Sequence, residues 1–229
     1  MKTAAALFLF ASTFVNAQDL VAVAPDKAKV EYEDSRVRVV RLKLAPNEVL
    51  PMHDRPARVV VSLAASNVRI LRPDGTSSEV RTAPGTVAWS EPARRSVQNL
   101  DAPLENVIVE LKMAKEPAKA LAAPPNPRPE GYLDEPLHRW AFENQYVRVY
   151  DVRVPAGATT GFHKHAYDTV FVQVTEEISS EQLQGEPWGK PEKYPAGEAA
   201  FSMDSKKLRV HRVRNEGNSE FRVIAVQVK

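Results

Sequence analysis

Residues 140–174 read WAFENQYVRVYDVRVPAGATTGFHKHAYDTVFVQV. They lie without a gap over residues 30–64, VEYEDSRVRVVRLKLAPNEVLPMHDRPARVVVSLA, at a constant offset of 110 residues. Tyr32-Glu33 then meets Phe142-Glu143, Val37-Arg38-Val39 meets Val147-Arg148-Val149, and His53 meets His163. Further along, Gly85 pairs with Gly197 and Trp89 with Phe201. Beyond a four-residue insertion in the second copy, Asp204 to Lys207, Val97-x-Asn99 pairs with Val213-x-Asn215. Each copy closes on a hydrophobic strand, Val107 to Leu111 and Val223 to Val228. A gapless register of this length, followed by matched Gly and Asn positions, marks an internal duplication.

Within a copy the pattern is β. Val59-Val60-Val61, Val147 to Val154 and Val170 to Val174 are rich in β-branched and aromatic residues. Arg72-Pro73-Asp74-Gly75 and Pro155-Ala156-Gly157 punctuate them as turns. Both copies share one irregularity. Val37 and Val39 carry the apolar face at first, and then Val40, Leu42 and Leu44 carry it on; Val147 and Val149 hand over to Tyr150, Val152 and Val154 in the same way. A one-residue slip exchanges the two faces of a strand, which predicts a bulge or bend at this step in each copy. Two strand-rich units predict two β-barrels or sandwiches.

Between the copies, Ala114 to Pro136 carries six prolines from Pro117 onward. Pro124-Pro125, Pro127 and Pro129 exclude a helix interior or a central strand, so an extended surface connector is expected, with one helical turn allowed at Ala118 to Ala123. The predicted organisation is an N-terminal barrel over 18–113, a linker over 114–136 and a C-terminal barrel over 137–229.

The first seventeen residues read as an export leader. Lys2 gives a basic start, Thr3 to Val15 is mostly Ala, Leu and Phe, and Val15-Asn16-Ala17 suits cleavage after Ala17. This places the mature protein in the periplasm or outside the cell. The apolar run is too short for a membrane span, and no later one approaches the roughly 20 apolar residues a span needs. The chain has no cysteine, which removes disulfides, zinc ribbons and thiol nucleophiles. Without Lys2 the 31 basic residues fall to thirty against 29 acidic ones, a near-neutral balance that argues against nucleic-acid binding. The basic stretch Lys206 to Arg214 alternates as a strand with a solvated face. A small-molecule ligand or substrate is the expected partner. One chain supplies a barrel pair by itself, as a monomer or as the unit of a homo-oligomer.

No nucleophile elbow, P-loop, dinucleotide-binding glycine pattern or helical zincin pair occurs, so any chemistry falls to the histidines. There are five, at 53, 138, 163, 165 and 211. His163 and His165 are two apart in an extended segment and share a face. His211 follows in another strand-like alternation, four residues before Asn215. Imidazole suits iron, manganese, copper, nickel or zinc. His138, beside Arg139 and Trp140, reads as a connector or barrel-rim residue.

The spacing Gly157-x5-His163-x-His165, then Pro195-x-Gly197 and His211-x3-Asn215, resembles the two motifs of the cupin superfamily. The N-terminal copy follows the same plan, so the resemblance spans nearly the whole mature chain and is to two-barrel members (bicupins). It implies two tandem jelly-roll barrels, an all-β fold, with one divalent transition metal held by His163, His165 and His211. The family's usual glutamate ligand is missing: Thr169 or Val170 stands in its place, and Asp168 falls one residue early. Strand parity puts Asp168 on the face opposite His165 unless the chain bends. The site is therefore three-histidine, or three-histidine plus Asp168.

The first copy has lost the motif. Arg55 replaces the second histidine and Arg95 the third, and a guanidinium offers no lone pair. The N-terminal barrel is expected to be metal-free, with a structural role or anion binding through Arg55 and Arg95. Candidate catalytic residues are Asp168, Tyr167 and Thr169, and candidate substrate contacts are Gln173 and Asn215. Within the superfamily, three-histidine sites go with oxygen-dependent cleavage, so a dioxygenase-like enzyme acting on a small acidic substrate is one reading. A non-enzymatic protein that binds or stores a metal or small ligand, or a structural cupin, is the other.

Overall fold

The computed structural model describes residues 19–207 and 209–229; the leader expected over 1–17 lies outside the described residues. A short helix, α1 (Leu20–Val23), capped by the Asp19 carboxylate, leads into the first copy. Its strands are β1 (Ala28–Glu33), β2 (Val37–Leu44), β3 (Val49–Arg55), β4 (Arg58–Ser62), β5 (Ser66–Leu71), β6 (Ser77–Thr82), β7 (Val87–Ser90), β8 (Ala93–Asn99) and β9 (Leu104–Leu111). The connector contributes β10 (Ala120–Leu121). The second copy has β11 (His138–Asn144), β12 (Val147–Val154), β13 (Asp168–Gln173), β14 (Glu177–Leu183), β15 (Glu192–Tyr194), β16 (Ala199–Ser202), α2 (Asp204–Lys207), β17 (His211–Asn215) and β18 (Phe221–Val228).

The duplication is repeated in the topology. One sheet of the first copy runs β1-β2-β9-β4-β7, and its counterpart runs β10-β11-β12-β18-β13-β16. The second sheets are β3-β8-β5-β6 and β15-β14-β17. Apart from β10 and β3, each strand has its partner in the other copy. The fold is all-β, two jelly-roll barrels in tandem.

The predicted phase slip is real, and the extra residue sits on the neighbouring strand. The β1–β2 register shifts between Val30↔Val40 and Tyr32↔Val39, and the β11–β12 register shifts between Trp140↔Tyr150 and Phe142↔Val149. The slip divides one strand between two cores. Val37 and Val39 pack with Val59, Val109, Val147, Val149, Val172 and Val226 in a core shared by both copies. Val40, Leu42 and Leu44 turn into the first barrel, and Tyr150, Val152 and Val154 into the second. Full burial of such side chains contributes roughly 1.5–3 kcal/mol each, so the shared core docks the barrels as part of one folding unit.

The docking is reciprocal. Arg222 Nη2 donates to Gly85 O at 2.8 Å, and Arg41 donates to Gly197 O, the equivalent carbonyl of the other copy. Both glycines have positive φ, +73° and +87°. A Cβ on Gly85 would stand 1.9 Å from Arg222 Nη1, so only glycine allows this approach. Stacked rings, Tyr32 on Phe201 at 4.4 Å and Trp89 on Tyr146 at 6.0 Å, also pair residues of the two copies. The glycine carbonyls are equivalent but their donors are not, since Arg222 corresponds to Glu105 and Arg41 to Asp151 in the repeat, so the two-fold relation between the copies is approximate.

Two local expectations are corrected. Ala118 to Ala123 forms no helical turn: Ala120–Leu121 is a strand paired with Glu143–Asn144 at the edge of β11. Prolines on both sides leave too few residues for a helical nucleus, whereas the β11 edge offers ready backbone partners. In the stretch Lys206 to Arg214, the strand begins only at His211, because Asp204–Lys207 coils as α2. The connector is not wholly superficial either. Leu133 is buried, its N–H donates to the Tyr150 hydroxyl at 3.2 Å, and Glu135 follows it into the second barrel. Among the described residues, no helix is long and apolar enough to cross a membrane.

Candidate metal centre

The second barrel encloses a cavity of about 500 Å³. His163 and His211 face each other across it, joined by reciprocal backbone hydrogen bonds of 2.8 Å in each direction. Directly opposed residues on antiparallel segments put their side chains on one face, and the two rings lie 4.5 Å apart. His165 is on the same wall, its ring 5.2 Å from His163 and 5.3 Å from His211. The segment carrying His163 and His165 has no counterpart to β3. Its register is held by isolated bridges at Thr159↔Arg214 and His163↔His211.

The structure adds a fourth imidazole. His138, expected at the rim, is buried at the start of β11, and its ring is 4.3 Å from that of His163. It stands opposite Val152, whose side chain lines the cavity, so the sheet register carries it inward. Nitrogens of His138, His163 and His165 all lie within 4.8 Å of one another. Metal–imidazole bonds of roughly 2.0–2.1 Å place tetrahedral ligand nitrogens about 3.3–3.4 Å apart, a separation these rings reach by small side-chain rotations.

Each ring is held by its other nitrogen. Glu135 Oε2 accepts from His138 Nδ1 at 2.6 Å, and Gly161 O accepts from His163 Nδ1 at 2.9 Å. His211 Nδ1 is hydrogen-bonded to Glu181 Oε1, while its Nε2 is buried with no partner. His165 Nδ1 lies 3.4 Å from the buried Gln227 amide. For His138, His163 and His211, carboxylate or carbonyl partners on Nδ1 fix the tautomer that leaves Nε2 with a lone pair; His165 has no such partner, since the Gln227 amide nitrogen near its Nδ1 is a donor. Burial, reinforced by charge repulsion from His138 and His211, drives His163 down to about 3. Burial and the neighbouring imidazoles also hold His165 well below the usual histidine range. For Glu135, burial acts to raise the pKa, but the His138 hydrogen bond and charge outweigh it and keep the carboxyl ionised. His163 and His165, held neutral by burial, and His211, whose Nε2 is buried without a partner, supply the kind of donor a divalent transition metal requires, and these residues fit one.

The other predicted site residues divide. Gln173 lines the cavity. Asp168 faces away from it, as strand parity requires. Its carboxylate accepts from Ser205 N at 3.0 Å, from Ser205 Oγ at 2.6 Å and from Arg36 of the first copy. Asp168 thus ties the barrels together and is no ligand. Thr169 donates to Tyr167 O at 2.9 Å, and the Tyr167 ring lies 5.4 Å from the Arg148 guanidinium; neither lines the cavity. Asn215 is also removed from the cavity. Its amide donates to Val154 O and Ser219 O, both at 2.8 Å, and fastens a corner. Asn99 does the same at Leu44 O, Ala45 O and Ala102 O. Three acids were not singled out from sequence: Glu135, Glu181 and Glu177. Glu177 is buried on the cavity wall, where desolvation pushes its carboxyl up.

No protein-family model and no curated protein matches the sequence. Solved structures do. AerE from Microcystis aeruginosa matches at 10% identity and a TM-score of 0.62, over 89% of this chain and 93% of that one. A cupin 2 conserved barrel domain protein from Leptotrichia buccalis matches at 12% identity and a TM-score of 0.50, over 88% of each chain. The oxalate decarboxylase of Lactobacillus farciminis, solved as a formate complex, matches at 16% identity and a TM-score of 0.56, over 86% and 78%. The fold is that of a bicupin. At these identities the likeness carries the architecture alone, and the chemistry of this chain rests on its own residues. The imidazole cluster in its second barrel fits a metal-binding cupin.

Proposed function

We propose that this protein is an exported metalloenzyme that acts, in its C-terminal barrel, on a small acidic organic molecule. The observation that carries this reading is the convergence of His138, His163, His165 and His211 in one buried cavity. A divalent transition metal bound there supplies Lewis acidity and, when redox-active, the electron transfer that dioxygenase-like cleavage needs. His163, His165 and His211 are the ligands the motif assigns; the nitrogens that lie closest together are those of His138, His163 and His165, without His211, so His138 is a ligand candidate on the same footing.

The remaining residues have supporting roles. Glu135 and Glu181 keep the Nδ1 protons of His138 and His211 in place, so that Nε2 points at the ion. Phe171, edge-on to His165 at 5.4 Å, forms with Val152 and Val154 a water-excluding wall. Glu177, whose carboxyl burial biases toward the protonated form, can hold or release a proton beside a bound acid. Lys190 and Arg209 on the lining offer charge to an anionic substrate. One structural neighbour is an oxalate decarboxylase solved with formate, which points to the same class of small acids.

The test is turnover. Mature protein loaded in turn with iron, manganese, copper, nickel or zinc is assayed for oxygen uptake and carbon dioxide release on small mono- and dicarboxylates. Turnover that disappears in His163→Ala supports the enzyme. No turnover with any ion assigns the cavity to binding rather than catalysis.

A further inference from the structure

The first barrel keeps a cavity of about 290 Å³ and lines it with cations. His53 repeats the pose of His163: its Nδ1 donates to Pro51 O at 2.7 Å, and its cross-strand partner is Arg95, as His211 is for His163. Arg55, two residues on, faces the same way. Arg58 enters from β4 with no solvent exposure at all. All four side chains line the cavity.

Their charge is only partly answered. Glu110 takes Arg38 at 2.6 Å and lies 3.4 Å from Arg58, and Asp19 takes Arg38 at 2.7 Å. Among the described residues, Arg55 and Arg95 make no ion pair. Arg55 Nε, Arg95 Nε, both terminal nitrogens of Arg58 and His53 Nε2 are buried without a hydrogen-bond partner. Burial, with the positive charge of Arg58 and Arg95, pulls Arg55 down to about 8. The unpaired, buried guanidinium nitrogens of Arg55 and Arg95 therefore lack a counter-charge that a bound anion would supply. Apolar side chains line the cavity from both sheets, Val68 and Ile70 from the sheet of Arg55 and Arg95 and Val60 and Ile108 from that of Arg58, forming an apolar wall beside the charges. A bare inorganic anion would leave that wall uncovered, whereas an anion with an apolar body satisfies both halves.

We propose that the N-terminal cavity is a binding site for a small organic carboxylate. Its carboxylate group lies among Arg55, Arg58 and Arg95, and its body lies on Val60, Val68 and Ile70. Arginine suits this task because its planar fork matches a carboxylate bidentately. The barrel that lost its metal ligands thereby gained an anion receptor at the same motif positions.

The experiment is calorimetric titration and thermal unfolding of the full chain with benzoate, succinate, inorganic phosphate and sulfate at fixed ionic strength. His163→Ala, which lacks the C-terminal centre, should bind at least one carboxylate at one equivalent, and wild type should bind no fewer. Unfolding should move up by a few degrees at saturation. Arg55→Met and Arg95→Met should weaken binding at least about tenfold, since each removes a charged hydrogen-bond donor. Without ligand, these variants should unfold at the wild-type temperature or above, because an unpaired buried charge is gone. Arg55→Gln serves as the milder variant. The proposal is overturned if no carboxylate binds, if the arginine variants bind equally well, or if they unfold well below wild type without ligand. It is overturned equally if phosphate or sulfate binds and no carboxylate does.

Discussion

Glu135 Oε2 lies 2.6 Å from His138 Nδ1, and the pair joins the interbarrel connector to the candidate metal centre. The same carboxylate caps the turn by accepting from the backbone N–H of Leu137 and His138. Its other oxygen takes Gly161 N–H at 3.2 Å, on the loop that leads to His163. One buried acid thus positions two imidazoles. Replacing Glu135, the carboxylate partner of His138, with Gln should lower metal affinity about 10- to 100-fold, and His138→Ala by at least as much, because it removes a ligand and not just its partner. His53→Ala should leave metal affinity unchanged. Competition titration with a chromophoric chelator measures all three.

Asp168 gives the opposite expectation. Asp168→Asn should leave the metal in place and weaken the barrel–barrel contact by about 1–2 kcal/mol, the scale of charged hydrogen bonds whose arginine partner is partly exposed. Burial acts to raise the Asp168 pKa, but hydrogen bonds from Ser205 and Arg36 overcome it and hold the carboxyl below its usual 3.8. The folded state therefore binds the proton less readily than the unfolded chain. The stabilisation is complete above about pH 4 and is lost as pH falls through the lower folded value. Urea midpoints of wild type and Asp168→Asn should differ at pH 7 and converge on acidification.

Much of the fold was legible because duplication writes each constraint twice. The slip at Val39–Val40 and Val149–Tyr150 signalled a face exchange, but not which strand carries the extra residue, since that depends on the hydrogen-bond register with β1 and β11. Parity set Asp168 opposite His165 but left open a bend that would make it a ligand; in the structure Asp168 is directed to Ser205 and Arg36 instead. His138 was missed because its repeat partner is Ala28, a small core residue that carries no motif signal. Extending the 110-residue offset two positions upstream from Trp140 pairs His138 only with Ala28; that it stands opposite Val152 and points inward follows from the shifted β11–β12 register. Glu135 and Glu181 reach their histidines through a proline-rich connector and a strand pairing that no local pattern encodes.

The two positive-φ glycines Gly85 and Gly157 separate conformational cost from contact cost. Gly157 has φ +71° with nothing within 4 Å of a Cβ, so Gly157→Ala should cost about 1 kcal/mol in left-handed strain alone. Gly85→Ala adds the collision with Arg222 and should cost about 2–4 kcal/mol. Arg222→Ala should remove most of that excess. A double-mutant cycle in urea unfolding reads the coupling directly.

Asn99 and Asn215 should behave as a matched pair. Each buried amide serves two or three backbone carbonyls at equivalent corners. Asn→Ala at either position strands those acceptors and should cost about 2–3 kcal/mol with no change in metal affinity. A loss of metal on Asn215→Ala, at a pH where the variant is folded, would return that residue to the site.

The measurement closest to the central claim is the metal content of the purified full chain after saturation and desalting, by elemental analysis, with His163→Ala and His211→Ala treated alike. Three or four imidazoles converge in one barrel, and His53 alone remains in the other. One divalent transition metal ion per chain is therefore expected, with loss in both variants. Two ions per chain, none under any loading condition, or one ion retained in both variants would contradict it.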